Sequence, residues 1–334
     1  MKRIGVVGLG SMGGLHSLQW MQMPNVELVG VADIRPDHAA EMAKKRGGCK
    51  SFGSLLEMLD GVELDAVDIC VPTPWHKELT LQAAAAGKHV CCEKPMARSL
   101  ADCQAMIDAC ENAGVRLFIA HVLRFFYEFK KGKELVASGA VGNPAIVRSS
   151  RGGSFPRAWN DWFANFEWSG GVILDTIIHD FDWLRWTFGD VERVYARGLL
   201  KAGLDHTDYG LVTMRFKSGV IGHTEGTWAR YGAFSTHFDI AGDAGLITHN
   251  ALKSMPVQID LKATEGGKAG VQVPSSPVPV SPYYLELEHF ANCLETGEEF
   301  SILPIDGYKA VEIALAALES IETGKPVTLA SGRP

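Results

Sequence analysis

Along the first 120 residues, short β-branched runs alternate with stretches whose apolar positions recur at helical spacing. The runs stand at Arg3–Val7, Val26–Ala32, Ala66–Val71, His89–Cys92 and Arg116–Ala120, and predict strands. The stretches between them predict helices: Met12–Met23, Pro36–Arg46, Ser54–Leu59, Lys77–Ala86 and Leu100–Ala113. Strands that alternate with helices form a parallel sheet covered on both faces, through right-handed crossovers. Several of these strands are continuously apolar, as strands buried on both faces are.

Beyond about residue 121 the texture changes. Phe125–Ala137 predicts a helix and Ala145–Ser150 a strand. An aromatic loop, Gly152–Gly171, leads to a helix over about Val172–Phe188. From Val191 to about Val273 strand-like runs follow one another. Leu211–Phe216 and Val220–Thr227 flank the turn Lys217-Ser218-Gly219, and Thr236–Ala241 and Leu246–His249 continue the pattern. Such a meander forms a largely antiparallel sheet. Gly266–Pro282, rich in Gly, Pro and Ser, predicts a surface loop, with helices at about Tyr283–Thr296 and Asp306–Thr323. The expected division is residues 1–121 as an α/β domain with a doubly wound parallel sheet, and 122–334 as an α+β domain with a large, open-faced, mostly antiparallel sheet.

Composition narrows the functional classes. With 46% hydrophobic and 21% charged residues, the chain has apolar mass for two cores, which excludes global disorder. Lys and Arg number 32 against 39 Asp and Glu, a net charge of −7. Basic residues gather only in short groups such as Lys44-Lys45-Arg46, so a nucleic-acid partner is not expected. No apolar run approaches the ~18 residues of a membrane span. Glycines interrupt the apolar opening segment, unlike a signal peptide, so a cytoplasmic protein is expected. The seven cysteines include no C-x-x-C pair, which suits reduced, buried thiols.

Three constellations carry chemistry. Gly8-Leu9-Gly10-Ser11-Met12-Gly13 matches G-x-G-x-x-G between the first strand and the first helix. There Gly8 permits a tight turn, Gly10 lets the backbone approach a pyrophosphate, and Gly13 lets helix and strand pack closely. Asp33 ends the second strand 20 residues beyond Gly13, where an acid bonds the adenosine ribose hydroxyls. That acid favours NAD, while Arg35, of the kind that holds a 2′-phosphate, leaves NADP open. Glu93-Lys94-Pro95 follows an apolar strand at the carboxyl end where open α/β sheets place ligands. A lysine there suits a substrate oxygen that develops charge; the alternative is a solvated Lys–Glu pair. Asp175, His179 and Asp182, spaced by four and three, are expected on one helix face among Ile177, Ile178, Phe181 and Leu184. A histidine flanked by carboxylates exchanges protons with a substrate hydroxyl; the alternative is a structural His–Asp pair. With no third His or Cys at helical spacing, no metal is expected. The aromatic loop carries Phe155, Trp159, Trp162, Phe163, Phe166 and Trp168 among polar residues. It suits a sugar, with Trp162 as a substrate contact, or equally a structural staple. Arg124 is expected to face the cleft, with His121 and Trp75 near the cofactor. His206, His223, His237 and His249 read as structural or surface residues.

Together these constellations resemble the Gfo/Idh/MocA family of NAD(P)-dependent oxidoreductases, which takes in glucose–fructose oxidoreductase and inositol dehydrogenase. Gly8–Gly13 followed by His16 is similar to its nucleotide fingerprint. Val71-Pro72-Thr73-Pro74-Trp75-His76 resembles its T-P-x-x-x-H segment, with Val71 where the family has Thr. Gly87-Lys88-His89-Val90-Cys91-Cys92-Glu93-Lys94-Pro95 resembles G-K-H-V-x-x-E-K-P, and Gly170–Asp182 its catalytic-helix pattern. The resemblance implies a Rossmann domain binding NAD through Gly8, Gly10, Ser11, Met12, Gly13, Asp33, Arg35, Val71, Pro72, Thr73, His76, Glu93 and Lys94. It implies a cis Lys94–Pro95 bond and a catalytic set of Lys94, Asp175 and His179. Substrate would meet these three with Arg124 and Trp162. A sugar or polyol would lie over the nicotinamide between the domains. His179 would take the hydroxyl proton as hydride leaves the same carbon, with Asp175 orienting His179 and Lys94 bonding the oxygen. It also implies a homodimer or homotetramer built through the open sheet face. A glycosidase that uses NAD transiently, and a catalytically silent NAD(H)-binding regulator, are the alternatives.

Overall fold

A computed structural model describes residues 1–200, 207–230, 232–254 and 280–329. His206 and most of the 266–282 loop lie outside the described residues, as does the strand pattern beyond residue 254.

The chain opens with β1 (Lys2–Val7), α1 (Ser11–Gln22), β2 (Val26–Ala32), α2 (Pro36–Lys45), β3 (Lys50–Phe52), α3 (Leu55–Gly61), β4 (Ala66–Ile69), α4 (His76–Ala85), β5 (His89–Glu93), α5 (Leu100–Asn112) and β6 (Leu117–Ala120). Ser54 and Ser99 cap α3 and α5 by accepting from the third amide on, which fixes where those helices begin. The strands form a parallel sheet in the order β3-β2-β1-β4-β5-β6. It has six strands where the sequence pattern marks five. The added β3 is a three-residue edge strand with two exposed positions, too short and too polar to show as an apolar run.

Next come α6 (Tyr127–Ala137), β7 (Pro144–Gly152), α7 (Phe166–Ser169), α8 (Gly171–Asp175), α9 (Ile178–Phe188), β8 (Val191–Leu199), β9 (Tyr209–Phe216), β10 (Ile221–Thr227), β11 (Ser235–Gly242) and β12 (Leu246–Asn250). The chain closes with α10 (Pro282–Thr296), α11 (Pro304–Thr323) and β13 (Val327–Thr328). The second sheet runs β12-β11-β7-β10-β9-β8-β13. It is mostly antiparallel, as expected, but β7 and β10 pair in parallel. Alternation along its strands gives one buried face and one open face. The buried face carries Val147, Val212, Met214, Phe216, Phe238 and Ile240. The open face mixes exposed Leu199 and Leu211 with polar side chains cross-linked by pairs such as Arg148–Asp239 at 2.7 Å and Thr213–His223 at 3.1 Å.

Two compact units emerge. One is Met1–Val122 with Val280–Tyr308; the other takes the described residues of Leu123–Pro279 and Lys309–Pro334. The expected single boundary at 121/122 is thus only half of the division, because α10 returns to the first unit. There Phe290 meets Trp20 with ring centroids 6.3 Å apart, and Phe118 meets Phe290 and Phe300 at 5.7 and 5.2 Å. In the second unit Trp183 packs on Phe129 and Phe238 at 5.1 and 4.8 Å, and its indole N–H donates to the Phe129 carbonyl at 2.9 Å.

Candidate active site

The first unit builds a nucleotide cradle from backbone. Gly8 adopts φ +85°, a left-handed conformation that only glycine takes without cost. A Cβ on Gly13 would stand 1.7 Å from the Gly8 carbonyl oxygen, so side-chain-free packing is what closes the turn. Gly10, the N-cap of α1, offers no side-chain oxygen to the first-turn amides, and nothing lies within 4 Å of where its Cβ would be. That open approach to a helix N-terminus fits a dinucleotide pyrophosphate. Asp33, 6% exposed, accepts from the Leu9 amide at 2.9 Å and from Arg35 Nε and Nη2 at 2.7 and 2.8 Å. Burial works to raise its carboxyl; the Arg35 guanidinium and the Leu9 amide outweigh it and hold the group below the ordinary carboxylate value. Arg35 is folded back onto the acid, in the arrangement suited to NAD rather than to a 2′-phosphate.

The segments after β4 and β5 meet around two buried histidines. Thr73–Trp75 forms a 3₁₀ turn, with Thr73 buried and Val71, Pro72 and Trp75 half-buried. His76 is buried with Nδ1 at 2.8 Å from the Pro95 carbonyl and Nε2 at 2.8 Å from that of Val71. As a neutral ring it donates to only one of these carbonyls, and packs closely against the other. Burial holds its pKa below the ordinary value. Lys94–Pro95 is cis, and Lys94 is half-buried. Glu93 accepts the Lys94 amide on Oε2 at 3.0 Å, and its Oε1 lies 3.2 Å from His16 Nε2. His16 Nδ1 meets Asp68 Oδ2 at 3.0 Å, and the Trp20 indole donates to the same oxygen at 2.7 Å. Cys70 adds a thiol 3.4 Å from both His16 Nδ1 and Asp68 Oδ1. Burial alone would lower His16; the Asp68 carboxylate outweighs it, so its pKa stands well above the ordinary value. Burial pushes the Cys70 thiol up, so it is a neutral group near neutrality. His121 is wholly buried.

The second unit carries the proton-transfer candidates. The expected single helix over 172–188 is two, α8 and α9, broken at Thr176 and Ile177. Asp175 therefore ends α8 and His179 lies in the first turn of α9, across a two-residue junction that keeps right-handed helical dihedrals. The junction is tied down from outside: Thr176 Oγ1 donates to Asp175 Oδ2 at 3.1 Å and accepts from the Trp228 indole at 2.8 Å. His179 is half-buried, while its neighbours Ile178 and Asp180 are buried. Two buried ion pairs anchor α9. Asp182 takes Arg124 Nε and Nη2 at 2.8 and 2.6 Å, and Asp180 pairs with Arg151 of β7. Arg124, buried and lying over Trp186 at 5.2 Å, thus braces the helix. In the aromatic loop, Phe155 and Phe163 pack on Trp228 at 5.0 and 6.0 Å, which makes that part a staple. Trp159 stays 42% exposed, and Trp162 stacks on Phe163 at 3.9 Å. Asp68, Arg151, Asp180 and Trp228 have no place in the motifs. Asp68 had a signal: an acid inside the otherwise apolar strand Ala66-Val67-Asp68-Ile69 demands a buried partner.

A glycine cradle, an acid at the end of β2 and a six-stranded parallel sheet define a dinucleotide-binding fold. Residues 2–121 match the model of an oxidoreductase family with an NAD-binding Rossmann fold, and residues 129–248 match the GFO/IDH/MocA C-terminal domain. The chain belongs to the Gfo/Idh/MocA oxidoreductase family, and NAD is its cofactor. It is 32% identical over 335 residues to a myo-inositol 2-dehydrogenase of Thermotoga maritima, covering 98% of each chain. It is 30% identical over 340 residues to a 1,5-anhydro-D-fructose reductase of Ensifer adhaerens, covering 99% of this chain and 100% of that one. The crystal structure of GenD2 from gentamicin A biosynthesis, in complex with NAD, matches with a TM-score of 0.88 at 26% identity, covering 99% of this chain and 97% of that one.

Proposed function

We propose that the protein oxidises a secondary hydroxyl of an inositol or a related sugar polyol, and that Lys94, Asp175 and His179 carry the chemistry. The observation that carries this reading is a half-buried imidazole on a helix pinned by two buried ion pairs, in a chain whose other unit sets a lysine directly after β5. Bound NAD supplies the hydride acceptor. The Lys94 ammonium donates to the reacting oxygen and stabilises the negative charge that gathers there. His179 accepts the hydroxyl proton, and Asp175 orients the ring and favours its charged form. Trp162 offers an aromatic face to the apolar side of the polyol. The names of the relatives support the substrate class.

The chain works in the cytoplasm as a homodimer or homotetramer through the open face of the second sheet. The seven free cysteines, six of them buried, support the reducing compartment. Light scattering checks the assembly. A panel of inositols, aldoses and sugar acids, screened for NADH absorbance with NAD and NADP in parallel, checks the reaction. His179→Ala should lower kcat by about 10²–10⁴-fold while NAD binding survives. An unchanged rate in that variant refutes the assignment.

A further inference from the structure

We propose that Glu93 and His16 are positioning residues for Lys94: the Glu93 carboxylate clamps the Lys94 amide, and the buried His16 imidazole, anchored on Asp68, fixes that carboxylate. The inference rests on the reading of Lys94 as a substrate-binding group. Glu93 Oε2 accepts the Lys94 amide at 3.0 Å, and Oε1 stands 3.2 Å from His16 Nε2 as an ion pair, without hydrogen-bond geometry. Asp68 holds the other ring nitrogen at 3.0 Å, and Trp20 at 2.7 Å keeps Asp68 in place.

The three ionisable groups come from α1, β4 and β5, and none is more than 6% exposed. In so little water each carboxylate needs its partner, so the network has one low-energy arrangement. His16 stands three residues beyond Gly13 on the helix that the glycine cradle opens. The same network therefore holds the start of Lys94 in register with the cradle. On the far side of the cis bond, His76 Nδ1 holds the Pro95 carbonyl at 2.8 Å. The Lys94 amide is thus tied to Glu93, and the Pro95 carbonyl packs against a buried ring. A reactive group has to be held to within about 0.5 Å for productive geometry. Glu93 is on this account a clamp rather than a direct cofactor ligand.

The test compares Glu93→Gln, His16→Gln, Lys94→Met and the Glu93→Gln/Lys94→Met double variant, using myo-inositol and NAD as probes. Glu93→Gln and His16→Gln should each lower kcat by about 10–100-fold with NAD affinity and cooperative thermal unfolding retained. In the Lys94→Met background Glu93→Gln should cost almost nothing more, because the group it positions is gone. An equal further loss in that background overturns the proposal. So does a loss that appears in NAD affinity with kcat intact, which would make Glu93 a cofactor ligand. If His16→Gln fails to fold, Glu93→Gln, which keeps the shape of the site, decides. If Lys94→Met keeps the wild-type rate, or myo-inositol is not turned over, the reading of Lys94 or of the substrate has failed. Crystal structures with NAD then still test the clamp. The Lys94 amide and ammonium should be displaced in Glu93→Gln, and superimposable positions overturn it.

Discussion

The two units hold the groups proposed to react by different means. In the first, Lys94 sits at a strand end, its backbone fixed by a buried histidine shared between two carboxylates. In the second, His179 rides on a helix fixed by two arginines, Arg124 and Arg151, each buried against an aspartate. The histidine network carries groups that titrate, whereas guanidinium stays charged at any working pH. The lysine half is therefore open to tuning through its surroundings, while the histidine half rides on a fixed mount.

The mount should be the more brittle. Arg124→Ala leaves Asp182 buried without a partner, and such a loss costs about 3–5 kcal/mol. Urea unfolding should show the midpoint fall accordingly; an unchanged midpoint would mean that the pair does not anchor α9. The cradle should break more gently. Gly13→Ala forces a methyl into the Gly8 carbonyl, at an overpacking cost of about 1–3 kcal/mol, and should weaken NAD binding as well. NAD titration followed by fluorescence, alongside thermal unfolding, reads both effects. Wild-type affinity in that variant would contradict the backbone route for the pyrophosphate.

The smallest effect concerns pH. The Asp33 carboxyl is held below its ordinary value, so its folded pKa is depressed. Its contribution is present above the unfolded pKa, about 3.9, and is lost as pH falls through the folded value. Arg35→Ala removes the group that lowers it, so the wild type should lose more stability than the variant on acidification below about pH 4. Parallel slopes would show that the Asp33–Arg35 pair does not titrate with folding.

The same contrast governs what could be read from the sequence. The cradle, Asp33 and Glu93-Lys94-Pro95 occupy fixed places at strand ends, so local pattern finds them. The break between α8 and α9 left no mark, because the segment holds no Pro and its apolar period continues through Thr176 and Ile177. The break is tied to Trp228, fifty-two residues away. Arg124 and Asp182 stand 58 residues apart, and a charge on a periodic helix does not announce its partner. The return of α10 to the first unit was equally silent, since its apolar face says only that it packs on something.

The central claim is that Lys94 and His179 serve one substrate hydroxyl. The most direct measurement is a crystal structure of the protein with NAD and myo-inositol bound. The account predicts that Lys94 Nζ and a ring nitrogen of His179 both lie within hydrogen-bonding distance of the same inositol oxygen. If the two groups contact different ligands, or face separate bodies of solvent, the account is wrong.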